Sequence, residues 1–413
     1  MRVKLKEISK NLSGYKIALY LILFLGCLIR LAGLGVFPDG DALNPDEAFA
    51  GYEAYSMLHY HMDSHGYSMP VYLVAWGSGM NALNTYLMIQ FVLILGLTPL
   101  AIRLPQAIVA CFSLYVFYRI LKKNHSELQS LIGLAVFSIM PWHIMLARFG
   151  LESNLLPGFL LFGMYFLIRG IDDSKYLVLS AVFYGLSLYC YAAAWPIMPI
   201  IILGGWLIYL FTAKRKLNKC FLLSIFILCL LALPLLLFCL VNYGYMPEMK
   251  FGPLSIPKLS AIRSIEIQKH TWEWKKNFLD AAALLMRQYD YLPWNATEKY
   301  GLYYHGGLIL AVIGAISTLI QFISAFVKSK GKGMSRRFMP QYLFMLQGFA
   351  ACVLASLLEN MLDEDSRFTE SKYIYMTEEL DNHDWYEDVQ MAIDYCKKKG
   401  YRTGFCHSSF FGL

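Results

Sequence analysis

Charge is what this chain of 413 residues has least of: Asp, Glu, Lys and Arg make up 16% of it, against 57% hydrophobic and 15% aromatic residues. Soluble domains carry about 25% charged residues, so a water-soluble fold is excluded. Apolar stretches at 17–37, 220–241 and 307–327 approach or reach the ~20 residues that cross a hydrocarbon core. The N-terminal MRVKLKEISK is followed by no small-residue cleavage site, so the first apolar run reads as a retained helix. Cysteine outside apolar segments is also scarce. Seven of the nine (Cys27, Cys111, Cys190, Cys220, Cys229, Cys239 and Cys352) lie within such segments and read as small hydrophobes. Only Cys396 and Cys406 are placed to form a disulfide, if the tail lies outside the cytoplasm. A continuous basic face is missing too: the formal charge of +7 sits in short clusters between apolar runs, which argues against nucleic acid as a partner. Internal repeats and low-complexity linkers are absent.

The basic clusters instead orient the chain, because interfacial Lys and Arg mark the cytoplasmic side. They occur at residues 2–16, at Arg119, Lys122 and Lys123, at Arg169 and Lys175, at 214–219, and at 328–337. The expectation is an all-α polytopic membrane protein with about nine transmembrane helices, near 17–37, 104–121, 129–147, 153–169, 176–194, 196–212, 220–241, 306–327 and 338–358. Residues 1–360 form the membrane domain, with extracytoplasmic loops at 38–103 and 242–305. The apolar segment 81–97 is assigned to the outer interface, since a span there would invert everything downstream. Residues 361–413 are richer in charge and read as a small extracytoplasmic α/β unit, with KYIYM, DWYEDVQMAIDYCKKK and YRTGFC as its pieces. No closing element follows, which suggests truncation.

The first loop opens with Asn44-Pro45-Asp46-Glu47. Asn as cap, Pro at the first helical position and Glu three residues after the cap form a helix start with a capping box. Two adjacent carboxylates just beyond a span are equally a place for a general base, and a helix N-terminus stabilises their charge. The two readings are compatible.

In order and sidedness the chain resembles the GT-C glycosyltransferase superfamily, especially its protein O-mannosyltransferase and aminoarabinose-transferase-like branch. The matching pieces are Arg30, Asn44-Pro45-Asp46-Glu47, DSHGYSMPVY from Asp63, Arg103-Leu104-Pro105, PWHIMLARFGLESN from Pro141, YCYAAAW from Tyr189 and QYDYLPWN from Gln288. The resemblance implies a sugar transferase that uses a polyprenyl-phosphate donor, inverts the anomeric centre and works at the extracytoplasmic face of the cell (plasma) membrane. It implies Asp46 as the base, Glu47 beside it and Glu152 as a second outside carboxylate. The acceptor would be a glycan, lipid or protein.

A leaving phosphate needs cations at the outer interface, and Arg103 and Arg148 fall at outside ends of spans, where snorkelling to headgroups is the competing account. Gln288, Asp290, Trp294 and Asn295 suit sugar binding or an interfacial aromatic belt, as do Tyr191 and Trp195. His59, His61, Asp63 and His65 lack convincing ligand spacing and read as a solvated loop. If a divalent cation (Mg or Mn) is needed, Asp46 and Glu152 are its ligands. The Asn295-Ala296-Thr297 triplet is a glycosylation pattern expected by chance. The rival functions are a transporter or flippase of a lipid-linked glycan, which calls for broken helices in related halves, and an inactive fragment of a transferase.

Overall fold

The computed structural model describes residues 2–36, 43–75, 79–212, 217–260, 274–289, 295–296, 299–304, 306–328 and 335–365. The expected α/β tail, with Cys396 and Cys406, lies outside the described residues, as do Asp290 and Trp294. Thirteen α-helices are described: α1 (Arg2–Leu31), α2 (Pro45–Tyr60), α3 (Leu83–Leu95), α4 (Pro99–Leu121), α5 (Glu127–Ser138), α6 (Pro141–Arg148), α7 (Leu156–Gly170), α8 (Tyr176–Ser187), α9 (Met198–Thr212), α10 (Lys219–Asn242), α11 (Trp274–Arg287), α12 (Gly307–Lys328) and α13 (Met339–Asp365). Two small antiparallel hairpins, absent from the all-α expectation, pair β1 (Tyr72–Leu73) with β2 (Met80–Asn81) and β3 (Met249–Phe251) with β4 (Leu254–Ile256).

Among the described residues, five helices are long and apolar enough to cross a membrane, and a sixth span results if α5 and α6 count as one. The protein is a multi-pass, mostly helical membrane protein. The segments expected as spans at 153–169, 176–194 and 196–212 form α7, α8 and α9, of 15, 12 and 15 residues. At about 1.5 Å per residue these reach only ~18–23 Å, so nine spans are not met by length and composition among the described residues. They compensate by packing: α7, α8, α9, α10 and α13 share the largest core, around Leu167, Tyr184, Met198, Tyr209 and Leu343. The segment assigned to the interface becomes α3, whose 13 residues amount to ~20 Å. It packs on α2 and α4.

The expected continuous span at 129–147 is broken, with α5 and α6 bent by 55°. Pro141 causes the break: it has no N–H to donate, and it holds Met140 in extended backbone at ψ 123°. Arg30 of α1 repairs the broken end. Its guanidinium is fully buried, with Nη1 donating to Ser138 O (2.9 Å) and Gly26 O (2.8 Å) and Nε donating to His143 Nδ1 (3.2 Å). Arg148 at the end of α6 returns the support, donating to Ile29 O (2.7 Å) and Ala32 O (3.0 Å) where α1 ends. Each arginine thus satisfies carbonyls that a helix terminus leaves open.

α4 separates two ends of the bundle by about 34 Å. At its start, capped by Thr98, sit the first loop, the turn at 149–152 and the second loop. Val71 N donates to Ser255 O (2.9 Å), which joins the two loops. At its other end Lys123 pairs with Asp172, and Asn124 donates to Gln341. Replacing Arg30 with Met should leave the Ser138 carbonyl unpaired, at about 1–3 kcal/mol. The check is thermal unfolding in detergent, where a fall of several degrees is expected.

Candidate functional site

α2 starts as its residues dictate. Asn44 accepts from Asp46 N (2.9 Å), Glu47 accepts from Asn44 N (3.0 Å), and Pro45 occupies the first turn. This completes the capping box and puts the two carboxylates in unlike surroundings: Asp46 is exposed, whereas Glu47 is fully buried.

Glu47 Oε1 accepts from Arg103 Nε (2.9 Å) and from Gly150 N, and its Oε2 accepts from Arg103 Nη2 (3.0 Å) and Asn44 N. A carboxylate offers roughly four acceptor positions, and all four are taken. Arg103 is equally enclosed, with no exposed surface, Nη1 toward Leu34 O (3.4 Å) and the Phe149 ring 5.7 Å away. Glu47, expected beside the base, and Arg103, expected at the phosphate, are therefore bound to each other. Both charges are desolvated, which a bidentate pair with further hydrogen bonds tolerates.

From this pair hydrogen bonds run through Gly150, Asn84 and Gln106 to Leu151, and a separate one holds Glu152, the next residue. Asn84 Nδ2 donates to Gly150 O (2.7 Å), Gln106 Nε2 donates to Asn84 Oδ1 and to Leu151 O (3.2 Å), and Asn81 N donates to Glu152 Oε2. Sequence reasoning missed Asn81, Asn84 and Gln106. The available signal was the presence of amide side chains inside otherwise apolar helices and strands. Arg148, only 9% exposed, stands on the α1 carbonyls and has no carboxylate partner among the described residues.

The other expected residues are placed elsewhere. Gln288, buried at φ 60°, accepts from Leu302 N (3.1 Å) and Tyr303 N (3.1 Å). Leu302 O in turn accepts from Trp142 N, so Gln288 secures the second loop on the α5–α6 break. Asn295 is half-buried. Tyr191 is half-buried ahead of a short 3-10 turn, and Trp195 donates to Leu188 O (2.7 Å) with its ring edge-on to Tyr72 and Phe238.

The loop after α2 is built around Asp63 rather than solvated at that residue. Asp63 is 2% exposed, and its Oδ1 accepts from His65 N (3.0 Å) and Tyr67 N (2.7 Å). Glu53, also buried, accepts from Ser64 N (2.8 Å) and Ser64 Oγ. Among the described residues, no three His, Cys, Asp or Glu side chains come together to hold a metal ion. Asp46 and Glu152, the expected ligands of a divalent cation, are therefore not joined by a third such side chain among the described residues.

Residues 48–241 match the family model described as dolichyl-phosphate-mannose-protein mannosyltransferase. Through that stretch, which is just under half of its length, the chain is similar to that family. The matched stretch holds Arg103, Arg148, Glu152, Tyr191 and Trp195, and begins one residue past Glu47. No curated protein matches the chain. Among solved structures, it is similar to the Archaeoglobus fulgidus oligosaccharyltransferase. Its apo form gives 12% identity and a TM-score of 0.48 over 92% of this chain and 52% of that one. The form with zinc and sulfate gives 15% identity and 0.47 over 84% and 50%, and the complex with an inhibitory peptide and a dolichol-phosphate gives 12% and 0.46 over 92% and 54%. The chain spans about half the length of those structures.

Burial pushes both Glu53 and Asp63 above the ordinary carboxylate range, against their hydrogen bonds to Ser64, His65 and Tyr67, and the Asp63 charge adds to the upward shift of Glu53. A raised folded-state pKa means the folded protein holds the proton more tightly than the unfolded chain. The resulting stability is full at acid pH and is lost as pH rises through the folded pKa. Asp63→Asn keeps the Oδ1 acceptor and removes the charge. It should flatten the fall in stability between mildly acidic and neutral pH, which thermal unfolding across that range will show.

Proposed function

We propose that the protein is a membrane glycosyltransferase that moves a sugar of the mannose class from a polyprenyl-phosphate donor to an extracytoplasmic acceptor, with inversion and with Asp46 as general base. The observation that carries this reading is the contrast within the Asp46–Glu47 pair. Glu47 has no acceptor capacity left, while Asp46 is exposed in the first turn of α2. The positive end of the helix favours the ionised form that a base requires.

In the reaction the acceptor hydroxyl loses its proton to Asp46 as its oxygen attacks the anomeric carbon. The bond from that carbon to the phosphate oxygen breaks on the opposite face, and the polyprenyl phosphate leaves with the electron pair. Arg148 is the better candidate of the two arginines to meet that charge, because Arg103 is already neutralised by Glu47. Oriented donors aimed at developing charge contribute most where water is excluded. Glu152 follows directly on Leu151, where the hydrogen bonds that begin at Glu47 end, which supports a shared catalytic face. No step is assigned to a metal.

The membrane arrangement that goes with this reading has the N-terminus inside and both loops outside the plasma membrane, with α7, α8 and α9 as short passes within a nine-pass bundle. The gathering of Arg119, Lys123 and Arg169 at the end of α4 remote from Glu47 supports it. A transporter would call for broken helices in two related halves, whereas the described residues hold one bent pair.

Purified protein in vesicles, supplied with polyprenyl-phosphate mannose and an acceptor, tests the assignment. Asp46→Asn should lower transfer by at least about a hundredfold while the melting temperature stays at the wild-type value. Full activity in that variant overturns the base.

A further inference from the structure

On β2, α3 and α4, starting at the residue bonded to Glu152, lie buried polar side-chain atoms without hydrogen-bond partners among the described residues. Asn81 has no exposed surface, and neither its Oδ1 nor its Nδ2 makes a hydrogen bond. Thr85, one turn into α3 and equally buried, has an unpaired hydroxyl, and Gln106 spends its Nε2 on Asn84 and Leu151 but leaves Oε1 open. These residues meet where β2, α3, α4 and the 149–152 turn converge, and the Asn81 main chain is itself bonded to Glu152. A buried donor or acceptor without a partner costs about 1–3 kcal/mol. Four such atoms on three adjoining elements mark a place where something else makes the bonds.

The kind of open atom restricts the occupant. Asn81 offers a donor and an acceptor together, Thr85 offers both on one oxygen, and Gln106 offers an acceptor. A bare cation would leave Asn81 Nδ2 unpaired, and a phosphate would leave Asn81 Oδ1 and Gln106 Oε1 unpaired. A group that donates and accepts through the same atom, a hydroxyl, satisfies all of them. Neighbouring hydroxyls on a ring suit a side-chain amide especially well, because one can accept from Nδ2 while the next donates to Oδ1.

We propose that Asn81, Thr85 and Gln106 form the sugar-recognising part of the donor site, reading the ring hydroxyls of the lipid-linked hexose. This rests on the transferase reading and deepens it: Arg148 serves the phosphate and the amide cluster serves the sugar. Because the cluster is shielded from water, a sugar lacking the matching hydroxyls would leave these atoms unpaired and be discriminated against strongly.

The test measures binding rather than turnover. Purified protein is titrated with polyprenyl-phosphate mannose and with polyprenyl phosphate lacking the sugar, for wild type, Asn81→Ala and Thr85→Val. Asn81→Ala retains the main-chain N–H to Glu152, and Thr85→Val keeps the side-chain shape, so melting temperatures report any loss of fold separately. Wild type should bind the mannosylated lipid about tenfold or more tightly than the bare one. Each variant should bring that ratio toward one, with affinity for the bare lipid unchanged. If wild type prefers the mannosylated lipid and folded variants keep the wild-type ratio, the cluster holds only buried water and the inference falls while the transferase reading stands. If wild type binds neither lipid, the donor assignment falls and takes the inference with it.

Discussion

A glutamate and an arginine with no contact with solvent, 2.9 Å apart, hold the outer end of this molecule together. The net contribution of such a pair to stability is small, because removing both charges from water offsets most of their attraction. What the pair fixes is position. Glu47 belongs to the helix that carries Asp46, Arg103 to the helix that crosses the bundle, and Gly150 to the turn that leads to Glu152. Each hydrogen bond to the Glu47 carboxylate therefore ties one of three separate chain segments to the same point. The exposed carboxylate of Asp46 next to it inherits that fixed position.

The same device recurs across the bundle. Arg30 and Arg148 exchange support between α1 and the broken α5–α6 pair, each covering carbonyls at the other's helix end. A break in a membrane-spanning helix is tolerated only where freed backbone groups find partners inside the protein, and here the partners are arginines. Three buried guanidinium groups thus organise α1, α2, α4 and α6, while the short helices α7 to α9 are held by ordinary apolar packing against α10 and α13.

Much of this could be read from the residues. The scarcity of charge fixed the membrane class, and Asn44-Pro45-Asp46-Glu47 announced both the start of α2 and its capping box. The basic flanks anticipated that Arg119, Lys122 and Lys123 would share an end with Arg169. Pro141 carried the information for the α5–α6 break, but a proline near a span end is also compatible with an unbroken helix, and only the packing of Arg30 decides between them. The pairing of Glu47 with Arg103 could not be read, because residues 56 apart leave no local signature. The amide cluster at Asn81, Thr85 and Gln106 was invisible for a similar reason: single polar residues on apolar elements show their meaning only when three elements bring them together.

A double-mutant cycle on Glu47 and Arg103, read by thermal unfolding and by sugar transfer on the same samples, tests this account most directly. The account predicts that Glu47→Gln and Arg103→Met each depress both readouts, and that the double variant recovers stability relative to the worse single one without recovering transfer. The coupling between the two sites should be about 2 kcal/mol or more. Strictly additive losses, or a single variant that transfers sugar at the wild-type rate, would contradict it.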